Sequence, residues 1–525
     1  MSKKSTIVTE GKEKHNSACT LHCFPGFLLS PSTSLNNPKK MNPLNHNHSH
    51  TPSPFFLQSM STARAHVLAY PFPSSGHAIP LLDFAKALVS RGVQVTVLVT
   101  PRNLPLVPTN FSPLLQTLLL PAPQFSNPNL NMLVTIITFM RHHHHPLIVD
   151  WAQAQSTPPS AVISDFFLGW THLLARDLHV PRLVFSPSGA AALSLHQSLW
   201  RDVPQNDNPR DSNSVASFPN LPNSPVYPWW QISHLFTGTR RGRPEWEFFR
   251  ENTLFNIDSW GVVINTCTEL EQVHIDHVKK ELGHKRVWAV GPVLRIHNSS
   301  TEPEEHGGTS SVSRHDIVDW LDSREECSVV YVCFGSRTFL SGSQMKVLTR
   351  ALELSGVNFV LSIGVPDARH LAQEQGKVPS GFMDGVGVRE RGFLIQGWAP
   401  QLVILSHRAV GAFLTHCGWN SVLEGLVSGV VMVTWPMGAD QYSNARLLVD
   451  ELGVGIRGAE GEKVPEAWEL GKRIEKGLGR TKERVRAEEL RDAALRAVGN
   501  DGSSQRELDA MVKLLNEVHL EKTTT

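Results

Sequence analysis

Between Trp398 and Gln441 the chain gathers an unusual set of side chains in one contiguous stretch, WAPQLVILSHRAVGAFLTHCGWNSVLEGLVSGVVMVTWPMGADQ. The apolar run GAFLT ends at Thr415, and His416, Cys417 and Gly418 then turn the chain into a helix that carries Asn420, Ser421 and Glu424. A helix that starts just beyond the carboxyl end of a strand offers free N–H groups and the positive end of its dipole, a setting that attracts phosphate. With the Ser421 hydroxyl and the His416 imidazole, these donors could hold a diphosphate without a metal. Glu424, one turn past Asn420, could accept hydrogen bonds from a ribose diol, and Trp398 offers a flat face to a base. Asp440 and Gln441 bring acceptors and donors suited to sugar hydroxyls.

A second constellation lies far upstream. The turn PFPSSGHAIP follows an apolar strand and places His77 at that strand's end, facing the cleft that a doubly wound sheet opens there. With an ordinary pKa of about 6.5, a neutral imidazole suits the task of a general base. Asp165 directly follows the run AVIS, at the end of another expected strand. Each residue also has a plainer reading, His77 as a surface residue of a turn and Asp165 as a helix cap. Phe72, Phe166 and Phe167 are candidate walls of an adjoining pocket.

These residues must be positioned by regular elements. The run AHVLAY reads as a strand, residues 79–90 repeat apolar side chains at helical spacing, and Val93 to Thr100 is a β-branched run of the kind that parallel strands bury on both faces. Together they form a right-handed βαβ unit. Further strands are expected at Ala161–Ser164, Arg182–Phe185, Gly261–Asn265 and Val287–Val290, completing one domain over residues 62–295. Residues 296–312 are polar and rich in Gly and Ser, which marks a linker. A second domain over 313–500 opens on Ser313 and Asp316 as helix-start residues, with strands at Val329–Phe334, Asn358–Ile363, Gly411–Thr415 and Val430–Trp435. In the last segment, 501–525, Ser504 and Glu507 resemble a capping box, and Leu508, Met511, Val512, Leu515 and Val518 share one face, so this helix should pack back across the domains. The fold class that results is α/β, with two doubly wound, Rossmann-like domains facing across a cleft.

Composition narrows the partners. The chain has 525 residues, 41% of them hydrophobic, enough to bury sizeable cores. Lys plus Arg number 49 against 48 for Asp plus Glu, which gives no electrostatic case for nucleic acid or an anionic membrane. Six cysteines without metal-ligand spacing fit reduced thiols in the cytoplasm. No apolar stretch is long enough to span a bilayer, and Cys19 to Leu29, with His22, Pro25 and Gly26, makes a poor secretory signal. Residues 1–61 are rich in Ser, Asn, Pro, Lys and His and are expected to be disordered. The run His142 to His145 is expected on a solvated loop or helix face.

With HCGWNS at its centre, the Trp398–Gln441 stretch resembles the signature of the plant secondary-product UDP-glycosyltransferases of family 1. The resemblance runs over roughly residues 62–520 and takes in VWAVGPV and YVCFGS, while PMGADQ and FGSR resemble the subgroup acting on flavonols and hydroxybenzoates. It implies a GT-B fold with an acceptor-binding first domain and a UDP-sugar-binding second domain. It further implies that Trp398 stacks on uracil, that the Ala399 backbone contacts the base, and that Gln401 and Glu424 hold the ribose. His416, Asn420, Ser421 and Ser336 resemble the diphosphate contacts, and Trp419, Asp440 and Gln441 the sugar contacts. A final Gln in such motifs usually accompanies glucose, with galactose the main rival. His77 and Asp165 match the family's base and its partner. The implied reaction is an inverting, metal-free transfer of a hexose, with UDP-glucose as co-substrate and a small hydrophobic phenol such as a flavonol as acceptor, by a cytoplasmic monomer; a hydroxybenzoate or terpenoid acceptor is the alternative. Val431 and Gly425 depart from the common pattern at positions that should not touch the donor. Two other classes fare worse. An oxidoreductase would carry GxGxxG where this chain has PFPSSGH, and a glycoside hydrolase would present two carboxylates. A non-catalytic UDP-sugar-binding protein would have no need of His77 and Asp165.

Overall fold

The computed structural model describes residues 64–108, 111–123, 132–206, 208, 211, 214–294, 311–385 and 387–524. The expectation of disorder for 1–61 and nearly all of the expected linker lie outside these residues.

Residues 62–525 make one compact unit, built on two parallel sheets. The first contains β1 (His66–Tyr70), β2 (Gln94–Val99), β3 (Leu115–Leu119), β4 (Ala161–Asp165) and β5 (Arg182–Ser186). A small antiparallel hairpin, β6 (Val215–Ser217) with β7 (Val226–Pro228), stands apart, and β8 (Gly261–Ile264) and β9 (Val287–Ala289) complete the sheet. Its spatial order is β3-β2-β1-β4-β5-β8-β9. The second sheet contains β10 (Val329–Cys333), β11 (Asn358–Ile363), β12 (Gly392–Gln396), β13 (Val410–Thr415), β14 (Val431–Thr434) and β15 (Gly455–Arg457), ordered β12-β11-β10-β13-β14-β15. This is the doubly wound GT-B architecture. The strand order reverses between β1 and β4 in one sheet and between β10 and β13 in the other, and a crevice for ligands opens at such switch points.

The central strands β1, β4 and β13 are buried along their whole length, which is why their cores VLA, AVI and AFL are apolar. Three strands that the apolar runs do not announce, β3, β12 and β15, all lie at sheet edges. Edge position leaves part of each exposed, so LQTLL, GFLIQ and GIR carry mixed side chains without a sharp pattern.

Local chemistry shifts several elements from their expected places. The first helix is Ser75–Val89, four residues longer at its start than the apolar spacing indicates, so His77 sits in its first turn. Of the four consecutive histidines, His142 and His143 are exposed, but His144 is fully buried in a π-helical turn, Met140–His144. Tyr70 donates its hydroxyl to His144 Nδ1, and His144 Nε2 donates to the Pro121 carbonyl at 2.8 Å. Ser504 does not cap a helix; its hydroxyl reaches the Gly291 carbonyl from inside the helix Ser503–Thr524.

That terminal helix completes the first domain's core. Leu508, Met511, Val512 and Leu515 pack with Val67, Leu88, Val97 and Trp288. Asn516 accepts a hydrogen bond from Ala65 N at 3.1 Å, which ties the helix to the start of β1. Truncating Met511, which is fully buried, to Ala should cost about 2–5 kcal/mol and lower the urea midpoint. An unchanged midpoint would mean that the helix is not part of the cooperative core.

Candidate active site

The carboxyl ends of β1 and β4 bring His77 and Asp165 together. His77 Nδ1 lies 2.8 Å from Asp165 Oδ2, with the carboxylate fully buried and the imidazole 19% exposed. An ionised carboxylate only accepts, so Nδ1 carries the proton and Nε2 is left free to take another. The second oxygen, Oδ1, accepts from Phe167 N at 2.9 Å and caps the short turn Phe166–Leu168. Asp165 is thus both helix cap and histidine partner. Phe167 and Phe166 stack on the imidazole at centroid distances of 4.8 and 5.7 Å, and Phe72 meets it edge-on at 5.5 Å. The three phenylalanines form an apolar cage around a single polar atom.

The carboxyl ends of β10 and β13 build the other half. The helix Trp419–Ser428 begins at Gly418 with no side-chain cap, leaving its first N–H groups open to a ligand. His416 lies between Gly335 and Gly418, where an added Cβ would come within 2.8 and 2.5 Å of its ring. Gly335 has φ of 77° and precedes Ser336, which is exposed on the turn after β10. Burial pushes His416 down to about 4, so the unliganded ring is neutral, and its buried Nδ1 has no hydrogen-bond partner. A bound anion would draw that proton affinity back up. Cys417 holds φ of 65°, rare for a residue with a side chain. Its N–H bonds Thr415 Oγ1 at 3.1 Å, and its carbonyl accepts from Asn444 Nδ2 at 2.9 Å.

Gln401, Ser421 and Glu424 cluster. Gln401 Nε2 donates to Ser421 Oγ at 2.9 Å and to Glu424 Oε2. Burial raises Glu424 to about 7, opposed by the Gln401 hydrogen bond. Trp398 is partly exposed and Ala399 buried, immediately before this group in the chain.

The remaining residues face the first domain. Asn420 Nδ2 donates to the Gly76 carbonyl at 3.0 Å, next to His77. That carbonyl is available because the residue four positions on is Pro80, which has no N–H to return to it. Trp419 gives its indole N–H to Asn265 O at 2.7 Å, so what it retains for a ligand is its main-chain N–H. Asp440 Oδ2 accepts from Ser188 Oγ at 2.8 Å and from Asn444 Nδ2 at 3.1 Å. Gln441 Oε1 accepts from Met437 N at 2.8 Å and Gly438 N at 3.0 Å. Ser188, Asn265 and Asn444 were not singled out by the sequence. Asn444 stands four residues after Asp440 on the following helix, a spacing that could have marked it.

Two doubly wound domains meeting at their switch points, one with a His–Asp pair and the other with an uncapped helix N-terminus, define a nucleotide-sugar transferase of GT-B type. Residues 302–459 match the family model described as UDP-glucoronosyl and UDP-glucosyl transferase. A flavonol 3-O-glucosyltransferase of Arabidopsis thaliana is 43% identical over 482 residues, spanning 87% of this chain and 98% of the relative. UDP-glycosyltransferase 89B2 of Stevia rebaudiana is 45% identical over 475 residues, 86% and 98% of the two chains. Among solved structures, Arabidopsis thaliana UGT89C1 complexed with UDP-L-rhamnose superposes with a TM-score of 0.69 at 32% identity, covering 86% of this chain and 99% of that one. The chain belongs to this family, among its plant UDP-glycosyltransferases.

The raised proton affinity of Glu424 makes stability depend on pH. An unfolded glutamate loses its proton near 4.5, whereas the folded one holds it to about 7. The folded state therefore gains from this group below 4.5 and loses that gain as pH rises through 7. Glu424→Gln should raise the melting temperature of the unliganded protein at pH 8, by an amount equivalent to about 2 kcal/mol after discounting for partial exposure, and change little at pH 5. Equal effects at both pH values would remove the buried charge from Glu424.

Proposed function

We propose that the protein transfers glucose from UDP-glucose to a hydroxyl of a small phenolic acceptor such as a flavonol, inverting the anomeric carbon. The observation that carries this reading is the hydrogen bond from Asn420 to the Gly76 carbonyl, which joins the first turn of the uncapped helix to the residue beside His77. A base and a diphosphate site are thereby adjacent across the cleft.

In this reading Trp398 and the Ala399 backbone take the uracil, and Gln401 and Glu424 take the ribose. His416, Asn420, Ser421, Ser336 and the first N–H groups of the helix take the diphosphate. Asp440, Gln441 and the Trp419 main chain hold the sugar. The acceptor hydroxyl gives its proton to His77 Nε2 as its oxygen attacks the anomeric carbon. The bond from that carbon to the β-phosphate oxygen breaks, and UDP leaves with the electron pair. Donors fixed in advance around the departing diphosphate stabilise the charge that develops there. Asp165 holds the imidazolium that forms. Phe72, Phe166 and Phe167 give an aromatic acceptor an apolar wall around the base.

Glucose is favoured over other sugars by the Asp440–Gln441 pair and by the Arabidopsis thaliana flavonol 3-O-glucosyltransferase at 43% identity; a flavonol 7-O-rhamnosyltransferase of the same plant is 34% identical. Four cysteines among the described residues, Cys267, Cys327, Cys333 and Cys417, are unpaired, which supports work in a reducing compartment, the cytoplasm. Among the described residues no helix is long and apolar enough to cross a membrane.

Mass spectrometry of products from pooled flavonoids, hydroxybenzoates and terpenoids, offered with UDP-glucose, UDP-galactose and UDP-rhamnose in turn, should find a flavonol monoglucoside as the main product. Turnover with another donor only, or donor binding without any product, would defeat the proposal. His77→Ala should lower kcat by about 10²–10⁴-fold while leaving UDP affinity within about twofold, read by UDP release and calorimetry. An equal loss of both would mean that His77 supports the fold and is not the base.

A further inference from the structure

Arg182, the first residue of β5, is 2% exposed, yet none of its hydrogen bonds goes to a carboxylate. Its side chain runs along the sheet toward the carboxyl edge. Nε donates to Ser164 Oγ at 3.0 Å and Thr171 Oγ1 at 2.7 Å. Nη1 donates to Phe255 O at 3.2 Å, and Nη2 to Leu168 O at 3.3 Å and Asn256 Oδ1 at 2.8 Å. Asn256 in turn donates its Nδ2 to Phe166 O at 2.6 Å. One turn earlier on the same helix, Pro244–Ile257, Asn252 accepts from Trp170 N at 2.9 Å. Gly169 lies so close to Asn252 that an added Cβ would fall 2.1 Å from its carbonyl oxygen. Ser164, Leu168 and Thr171 flank or belong to the segment that begins at Asp165 and carries Phe166 and Phe167, and Asn256 and Asn252 reach it from the helix Pro244–Ile257.

A buried guanidinium is costly unless hydrogen bonds and an opposite charge compensate it. Here all three guanidinium nitrogens donate to neutral acceptors, and the charge that opposes the cost of burial belongs to Asp165, next along the chain from Ser164. Burial lowers Arg182 to about 9, and Asp165 opposes that shift.

We propose that Arg182, braced by Asn256, is a positioning residue for the His77–Asp165 pair: it locks the turn that carries the aspartate, Phe166 and Phe167, and it sets a positive charge behind the carboxylate. This rests on the reading of His77 as base. The guanidinium stands on the far side of the carboxylate that His77 Nδ1 meets, so its charge offsets part of the carboxylate's field at the imidazole. Other charges facing the network are few. His172, on the helix Thr171–Asp177, is lowered by burial and by Arg182, with Asp258 opposing and Arg176 adding to it. His196, on the helix Ala190–Asp202, lies edge-on to Phe166 and is pushed by burial to about 4, so it stays uncharged.

The test is the pH profile of kcat/KM for UDP-glucose and a phenol that keeps its own proton below pH 9, measured for the parent enzyme, Arg182→Met, Asn256→Asp and His77→Ala. UDP binding by calorimetry reports folding. Loss of the guanidinium charge should move the acid limb up by about one pH unit and lower kcat about tenfold. Asn256→Asp places a carboxylate against Arg182 and removes the donor to Phe166 O, so it weakens both the charge and the brace and should move the limb the same way, which decides the matter if Arg182→Met does not fold. A limb that stays in place in a folded, UDP-binding variant overturns the positioning role. Should His77→Ala keep the parent's acid limb, the base assignment fails, and this proposal with it.

Discussion

Trp419 donates its indole N–H to the Asn265 carbonyl at 2.7 Å, Asn420 donates to Gly76 at 3.0 Å, and Ser188 donates to Asp440 at 2.8 Å. These three hydrogen bonds pin the carboxyl edge of one sheet to that of the other. Transfer between two bound molecules loses orders of magnitude in rate when the reacting groups are misplaced by about 1 Å. A two-domain transferase must therefore fix the facing edges of its domains against each other. The Asn420 contact does so through a defect in a helix. Pro80 withholds an N–H from the first turn of Ser75–Val89, and the carbonyl this frees becomes the acceptor that anchors the second domain beside His77.

Backbone strain serves the same end. Cys417 and Ala439 both have positive φ, of 65° and 52°, and they immediately follow His416 and precede Asp440. Such conformations persist only where neighbours over-determine them. Asn444 is that neighbour, since its one amide group meets both the Cys417 carbonyl and the Asp440 carboxylate. The two ends of the nucleotide-sugar half are thus held by one side chain.

How much of this the sequence carried depends on how local each feature is. Strands buried on both faces were legible because both faces must be apolar, as in β1, β4 and β13. Edge strands β3, β12 and β15 were not, because partial exposure dilutes the pattern. The Trp398–Gln441 group could be read as a unit because its members lie close in sequence, and the structure brings Gln401, Ser421 and Glu424 into contact. The His77–Asp165 contact joins residues 88 apart, and it was the resemblance to the family, not any local spacing, that paired them. Ser188 and Asn265 escaped notice because their role is to meet the other domain, and no local spacing encodes which carbonyl or hydroxyl will face a residue far along the chain.

Burial explains why the two halves of the site carry opposite electrostatic tasks. In the second domain the unliganded groups stand away from their preferred ionisation: His416 is neutral with an unpartnered Nδ1, and Glu424 holds its proton to about 7. An anion beside His416 or hydroxyl donors beside Glu424 would favour the charged form of each and offset a desolvation cost already present in the folded chain. In the first domain the His77–Asp165 pair is already satisfied, with one imidazole nitrogen committed to the carboxylate and three phenylalanines around the ring. The second-domain cluster therefore holds its unsatisfied groups at the uncapped helix start, whereas the first-domain pair holds its imidazole in a fixed orientation.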